Sequence, residues 1–132
     1  MTAMLEALVA LMVTLAPEAP RDRIERVARA IVAASHSREE AALLVTIDYY
    51  ETRFERAGIP FGLFSWRHRI RNEPLEICAA AALRMLAMTE HCGDDVSVRL
   101  GWYHTGHCRA DPFSSREAET YRAALRVIPR PE

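Results

Sequence analysis

Hydrophobic positions recur along this chain at the three- and four-residue intervals of helices. Ile24, Val27, Ala28, Ile31 and Val32 form one stripe, and Leu43, Leu44, Ile47, Tyr50 and Phe54 form the next. Helix breakers cut the pattern into about six helices. Residues 1–16 are apolar apart from Glu6 and polar threonines, and the run ends at Pro17. Pro20 starts the second helix, and Ser37-Arg38-Glu39-Glu40 reads as a capping box opening the third. Ala57-Gly58 and Pro60 mark the expected end of that third helix. Glu73-Pro74 opens an alanine-rich helix through Leu75, Cys78, Ala79, Ala82, Leu83 and Leu86 to about Glu90, expected to be the central element. Gly93-Asp94-Asp95 caps a shorter helix with Val96, Leu100 and Tyr103 on one side. Ser114-Ser115-Arg116-Glu117 begins the last, which runs to about Val127. The segment 59–73 has no periodicity, is rich in aromatics, and is the one place where a β-hairpin would fit. The expected fold is all-α, a single orthogonal helical domain over residues 1–132.

At about 100° per residue, Glu51 projects between Ile47 and Leu44, within the apolar stripe. A carboxylate there is paired, neutralised, or turned toward a cleft that apolar side chains help to line. The structural reading ties it to Arg53 or Arg84. The functional reading makes it a general acid whose proton is retained by partial burial. Its neighbours Asp48 and Glu55 read as solvated, and Asp94 and Asp95 as helix caps.

Composition narrows the classes. The 132 residues carry a formal charge of -1, so the whole chain gives no electrostatic case for nucleic acid. Its only strong bases are arginines, and Arg67, Arg69 and Arg71 read as a solvated loop. Residues 1–20 are too short to span a bilayer and lack the basic start of a secretory signal, so they read as an apolar first helix, with a degenerate signal as the alternative. Of three cysteines, Cys78 falls on an alanine-rich helical face, whereas Cys92 and Cys108 can pair as a disulfide outside the cytosol. Zinc held by Cys92, Cys108 and His104, with His91 or His107 as fourth ligand, matches none of the usual short ligand spacings. No metal or cofactor is expected.

Four segments follow in order: Tyr50-Glu51-Thr52-Arg53-Phe54, Gly62-Leu63-Phe64-Ser65, Trp102-Tyr103-His104-Thr105-Gly106 and Glu119-Thr120-Tyr121. Over residues 41–125 their order and spacing resemble the lysozyme-like lytic transglycosylase family, which also takes in goose-type lysozymes. In that family the segments read Glu-Ser-x-Phe, Gly-Leu-Met-Gln, Ala-Tyr-Asn-x-Gly and Glu-Thr-x-x-Tyr. Here Ser65 stands for Gln, His104 stands for Asn, and only about ten residues separate Glu51 from Gly62.

The resemblance implies a lysozyme-like domain that cleaves peptidoglycan glycan strands in the periplasm, outside the cell, or as part of a phage. Glu51 is the implied acid/base, giving 1,6-anhydro-muramyl products without water as reactant. Gly62, Leu63, Phe64, Ser65, Trp66, Tyr103 and His104 are the implied substrate contacts. Tyr103 is equally readable as a core aromatic. A module on the same fold that binds glycan or a partner protein without cutting is the alternative. No membrane span is expected.

Overall fold

The computed structural model describes residues 2–55, 60–62 and 74–130. Among them are six α-helices and no strand, so the fold is all-α. We number the helices α1 (Ala3–Leu15), α2 (Arg21–Ala34), α3 (Arg38–Thr52), α4 (Leu75–Met88), α5 (Val96–Thr105) and α6 (Pro112–Val127). Single 3-10 turns occupy Pro60–Gly62 and Thr89–Cys92. No helix among the described residues is long and apolar enough to cross a membrane.

The caps follow side-chain chemistry. Thr2 Oγ1 accepts from the Leu5 amide at 3.2 Å and starts α1. Ser37 Oγ accepts from the Glu40 amide at 3.1 Å, while Glu40 Oε1 reaches back to the His36 amide at 2.6 Å. Four orphan N–H groups begin every helix, and these bonds satisfy two of them or their neighbours. Asp111 and Ser114 cap α6 reciprocally, with Pro112 in the first turn.

The most buried helix is α3, not the alanine-rich α4. Every residue from Ala41 to Asp48 is buried, and α1, α2, α4 and α6 all pack on α3. Helix α1 contributes Met4, Leu5, Leu8 and Met12 to the same core. Alanine-rich α4 packs on α2, and Cys78 is buried there, outside the disulfide.

The third helix also stops earlier than Ala57-Gly58, which lies outside the described residues. Arg53 adopts the left-handed conformation at φ 52° and caps it, and Phe54 follows at φ 62°. That reversal drives the Phe54 ring into full burial. Thr52 Oγ1 accepts from the Phe54 amide at 3.0 Å, replacing a lost helical bond. Left-handed backbone costs a non-glycine residue about 1–2 kcal/mol, which burial of a phenyl ring offsets. Exposed Arg53 instead bonds Glu18 at 2.9 Å and stacks on Tyr49, so it does not neutralise Glu51.

Candidate active site

The early end of α3 leaves Glu51 in its last turn with 31 % of its side-chain surface exposed. Glu51 is therefore not the carboxylate buried in the apolar stripe of α3. Asp48 is, one turn earlier and 2 % exposed, contrary to its reading as solvated. The reason is long-range: the Pro60–Gly62 turn packs on α3, and Asp48 Oδ1 accepts from the Phe61 amide at 2.9 Å.

Both polar groups of Phe61 are held this way. Its carbonyl accepts from the Tyr103 hydroxyl at 2.5 Å. Phe61 is fully buried at φ 57°, and Gly62 follows at φ 67°. The clamp from α3 and α5 stabilises a backbone conformation that phenylalanine otherwise avoids. Burial pushes the Tyr103 hydroxyl pKa up, reinforced by Glu51, Asp48 and Glu117, so the hydroxyl stays protonated and donates. Tyr103 is 1 % exposed and spends its hydroxyl on the turn, so it supports the site from behind and is not a surface for substrate.

The clamp lays Gly62 directly on Glu51. A Cβ at Gly62 would stand 2.9 Å from Glu51 Cγ and 3.0 Å from Cδ. Gly62→Ala is expected to displace the Glu51 carboxylate and to cost about 1–2 kcal/mol through the left-handed backbone. Urea unfolding reads the second effect, and a crystal structure of the variant reads the first. An unmoved carboxylate at wild-type stability would show that the contact does not position Glu51.

Asp48 carries a pH signature. Burial pushes its carboxyl up to about 6, against the opposing pull of the Phe61 amide, Thr52 and the Arg23 charge. With the folded value above the unfolded one, the folded state binds the extra proton. The Asp48 contribution to stability is then greatest below about pH 4 and is lost as pH rises through about 6, by roughly 3 kcal/mol at most. Asp48→Asn retains an oxygen acceptor for the Phe61 amide and cannot ionise. It is expected to flatten stability between pH 4 and 6 and to raise it at pH 7, read by urea unfolding across pH. An unchanged slope would assign the titration elsewhere.

Behind Glu51 stands a second carboxylate that the motifs did not single out. His104, in the last turn of α5, places Nδ1 3.4 Å from Glu51 Oε1 and Nε2 2.6 Å from Glu117 Oε1. Glu117 is fully buried in α6, and its Oε2 has no hydrogen-bond partner among the described residues. Burial raises the Glu117 pKa, with the His104 bond opposing it. Burial alone would lower the His104 pKa, but the Glu117 bond and the charges of Glu117, Glu51 and Asp111 together raise it. Phe113 closes one side, its ring 5.1 Å from the imidazole edge-on.

The result is a carboxylate–imidazole–carboxylate row from a buried end to an open one. Glu117 fixes the ring through one nitrogen, and the other lies at ion-pair distance from Glu51. Periodicity contained a signal for Glu117, because it shares the α6 stripe of Ser114, Ala118, Tyr121 and Ala124. Thr120, from the motif, serves elsewhere by bonding the Tyr50 hydroxyl at 2.9 Å.

The structure thus brings Glu51, Gly62 and His104 together, with Tyr103 behind them. Leu63, Phe64, Ser65 and Trp66, the Arg67–Arg69–Arg71 cluster and the suggested hairpin lie outside the described residues. Cys92 and Cys108 are joined as a disulfide. No protein-family model, curated protein or solved structure matches the chain.

Proposed function

We propose that this chain cleaves a glycosidic bond of peptidoglycan by acid/base catalysis at Glu51, in the manner of a lytic transglycosylase. The observation that supports this most is the row in which partly exposed Glu51 is backed by His104 and buried Glu117 and pressed by Gly62. Glycosidases commonly use two carboxylates on opposite faces of the scissile bond. Here the second carboxylate lies behind the first, where it cannot reach that opposite face. Such an arrangement suits chemistry in which one group acts twice.

Protonated Glu51 gives its proton to the glycosidic oxygen as the C1–O bond breaks. As carboxylate it then takes the proton of the muramyl 6-hydroxyl, whose oxygen closes on C1 as a 1,6-anhydro ring. The proton removed equals the proton given, so the cycle balances without water. His104 is the adjacent proton reservoir, and Glu117 holds its ring in place.

A glycan-binding module without turnover is the second reading, favoured by the fact that Glu51 already faces an imidazole. Mass spectrometry of fragments released from purified peptidoglycan separates the readings. Anhydro-muramyl ends support the proposal, and reducing ends replace it with hydrolysis. Retention on glycan without release supports the binding module.

A further inference from the structure

Away from Glu51, the disulfide corner holds a third chemical group. The His91 ring places Nε2 3.4 Å from Cys108 Sγ and 3.7 Å from Cys92 Sγ. Around tetrahedral zinc, with bonds of about 2.3 Å to sulfur and about 2.0–2.1 Å to nitrogen, the sulfur–nitrogen separation is about 3.6 Å. The two observed distances bracket that value. The imidazole thus already stands from each sulfur at about the spacing a soft divalent ion imposes, while the sulfurs themselves are joined.

The ring is also set in the required tautomer. His91 Nδ1 lies 2.5 Å from the Met88 carbonyl, which can only accept, so Nδ1 bears the proton and the Nε2 lone pair faces the sulfurs. Ligating histidines are held in this way, by a bond from the other ring nitrogen to a carbonyl or carboxylate. Trp102 packs edge-on against the ring at 5.2 Å and limits its rotation. Cys108 reaches the site because the loop after α5 folds flat over Gly101, where any Cβ would stand 1.8 Å from the Arg109 carbonyl oxygen.

We infer that the reduced chain binds a thiophilic divalent cation, of the zinc type, through His91 Nε2, Cys92 Sγ and Cys108 Sγ. The corner then has two alternative closures, a disulfide or a metal. A dithiol reductant supplies two electrons and two protons, the Cys92–Cys108 bond breaks, and the reductant leaves as its own disulfide. The cation displaces both thiol protons to solvent and forms two bonds to sulfur and one to neutral imidazole. The two sulfurs separate to about 3.8 Å around the ion. Their Cα atoms, 5.4 Å apart, allow this by side-chain rotation. His91 and Cys108 are exposed, so the fourth position faces solvent. His104, a candidate ligand from sequence, is engaged with Glu51 and Glu117 and takes no part.

The test uses the full chain, reduced with a dithiol, freed of it under anaerobic conditions and titrated with Zn²⁺ or, as a coloured probe, Co²⁺. The expected result is about one ion per reduced chain, with thiolate-to-cobalt charge-transfer absorption, and none for the oxidised chain. Cys108→Ser should weaken binding more than about 100-fold, beyond the 10–100-fold typical of losing an outer-shell partner, and His91→Ala at least about tenfold. Cys78→Ser should leave it unchanged. If reduction loosens the fold, added zinc should restore helical circular dichroism. Equal binding by oxidised and reduced chains overturns the inference, as does binding that survives Cys92→Ser and Cys108→Ser together. A reduced chain that neither holds zinc nor regains helicity with it also overturns it.

Discussion

His104→Ala is expected to destabilise the chain by about 3–5 kcal/mol at pH 7, the cost of removing one partner from a buried charged pair. Glu117 is fully buried and its Oε1 bonds His104 Nε2 at 2.6 Å. Without the imidazole, its carboxyl must either stay charged in the core or take up a proton at neutral pH. Both routes cost free energy, and the second makes the loss depend on pH. In the wild type the His104 pKa is raised, so its stabilisation is present below about pH 6.5 and is lost as pH rises through the folded value. In the variant, Glu117 is raised by burial without opposition, so stability falls as pH climbs above the ordinary carboxylate range. Protonation of Glu117 should therefore return stability to the variant between pH 7 and pH 5, a window in which the wild type gains through His104 instead. Urea unfolding at pH 5 and pH 7 reads this, and His104→Ala/Glu117→Met should recover much of the loss by removing the orphaned charge. A single variant as stable as wild type at pH 7 would mean that the pair contributes nothing.

The helices were legible because their ends carry local chemistry: Pro17 and Pro20, the Ser37 cap, Pro74 and Asp95; the last helix, read as starting at Ser114, begins two residues earlier at Pro112 with Asp111 as its cap. The end of α3 was not, because it is decided by where the Phe54 ring is buried, and no local residue announces that. The same blindness exchanged the roles of two carboxylates. A stripe drawn through Leu44 and Ile47 admits both Asp48 and Glu51, and only the Phe61 amide, thirteen residues along the chain from Asp48, selects which is enclosed. Glu117 satisfied the criterion applied to Glu51, a carboxylate inside an apolar stripe, but it lies between two motif segments. His104 stood inside a motif, yet its partner on α6 follows from how α5 and α6 pack. The meeting of His91 with Cys92 and Cys108 likewise depends on the clearance at Gly101, which spacing along the chain does not encode.

Glu51→Gln is expected to slow release of peptidoglycan fragments by roughly 10²–10⁴-fold, the span that a positioned general acid or base contributes. The amide fills the same space against Gly62 and can still meet His104 Nδ1, so unfolding should shift little. What it lacks is the ability to give a proton to the glycosidic oxygen and take one back from the 6-hydroxyl. Glu117→Gln makes the sharper comparison, because it leaves Glu51 in place and alters only the group behind the imidazole. It should lower turnover less and displace the pH profile, since one charge holding the His104 proton is gone. A reservoir tunes the donor, whereas the donor itself cannot be replaced. If Glu51→Gln retains activity within a few-fold while Glu117→Gln abolishes it, catalysis does not pass through Glu51 and the proposed direction of the row is wrong. If both variants are inert while stably folded, and Glu117→Asp restores turnover with a shifted pH profile, the row acts as a unit from Glu117 outward. That outcome would keep the proposed role of Glu51, at the open end, as the group that meets the glycosidic oxygen.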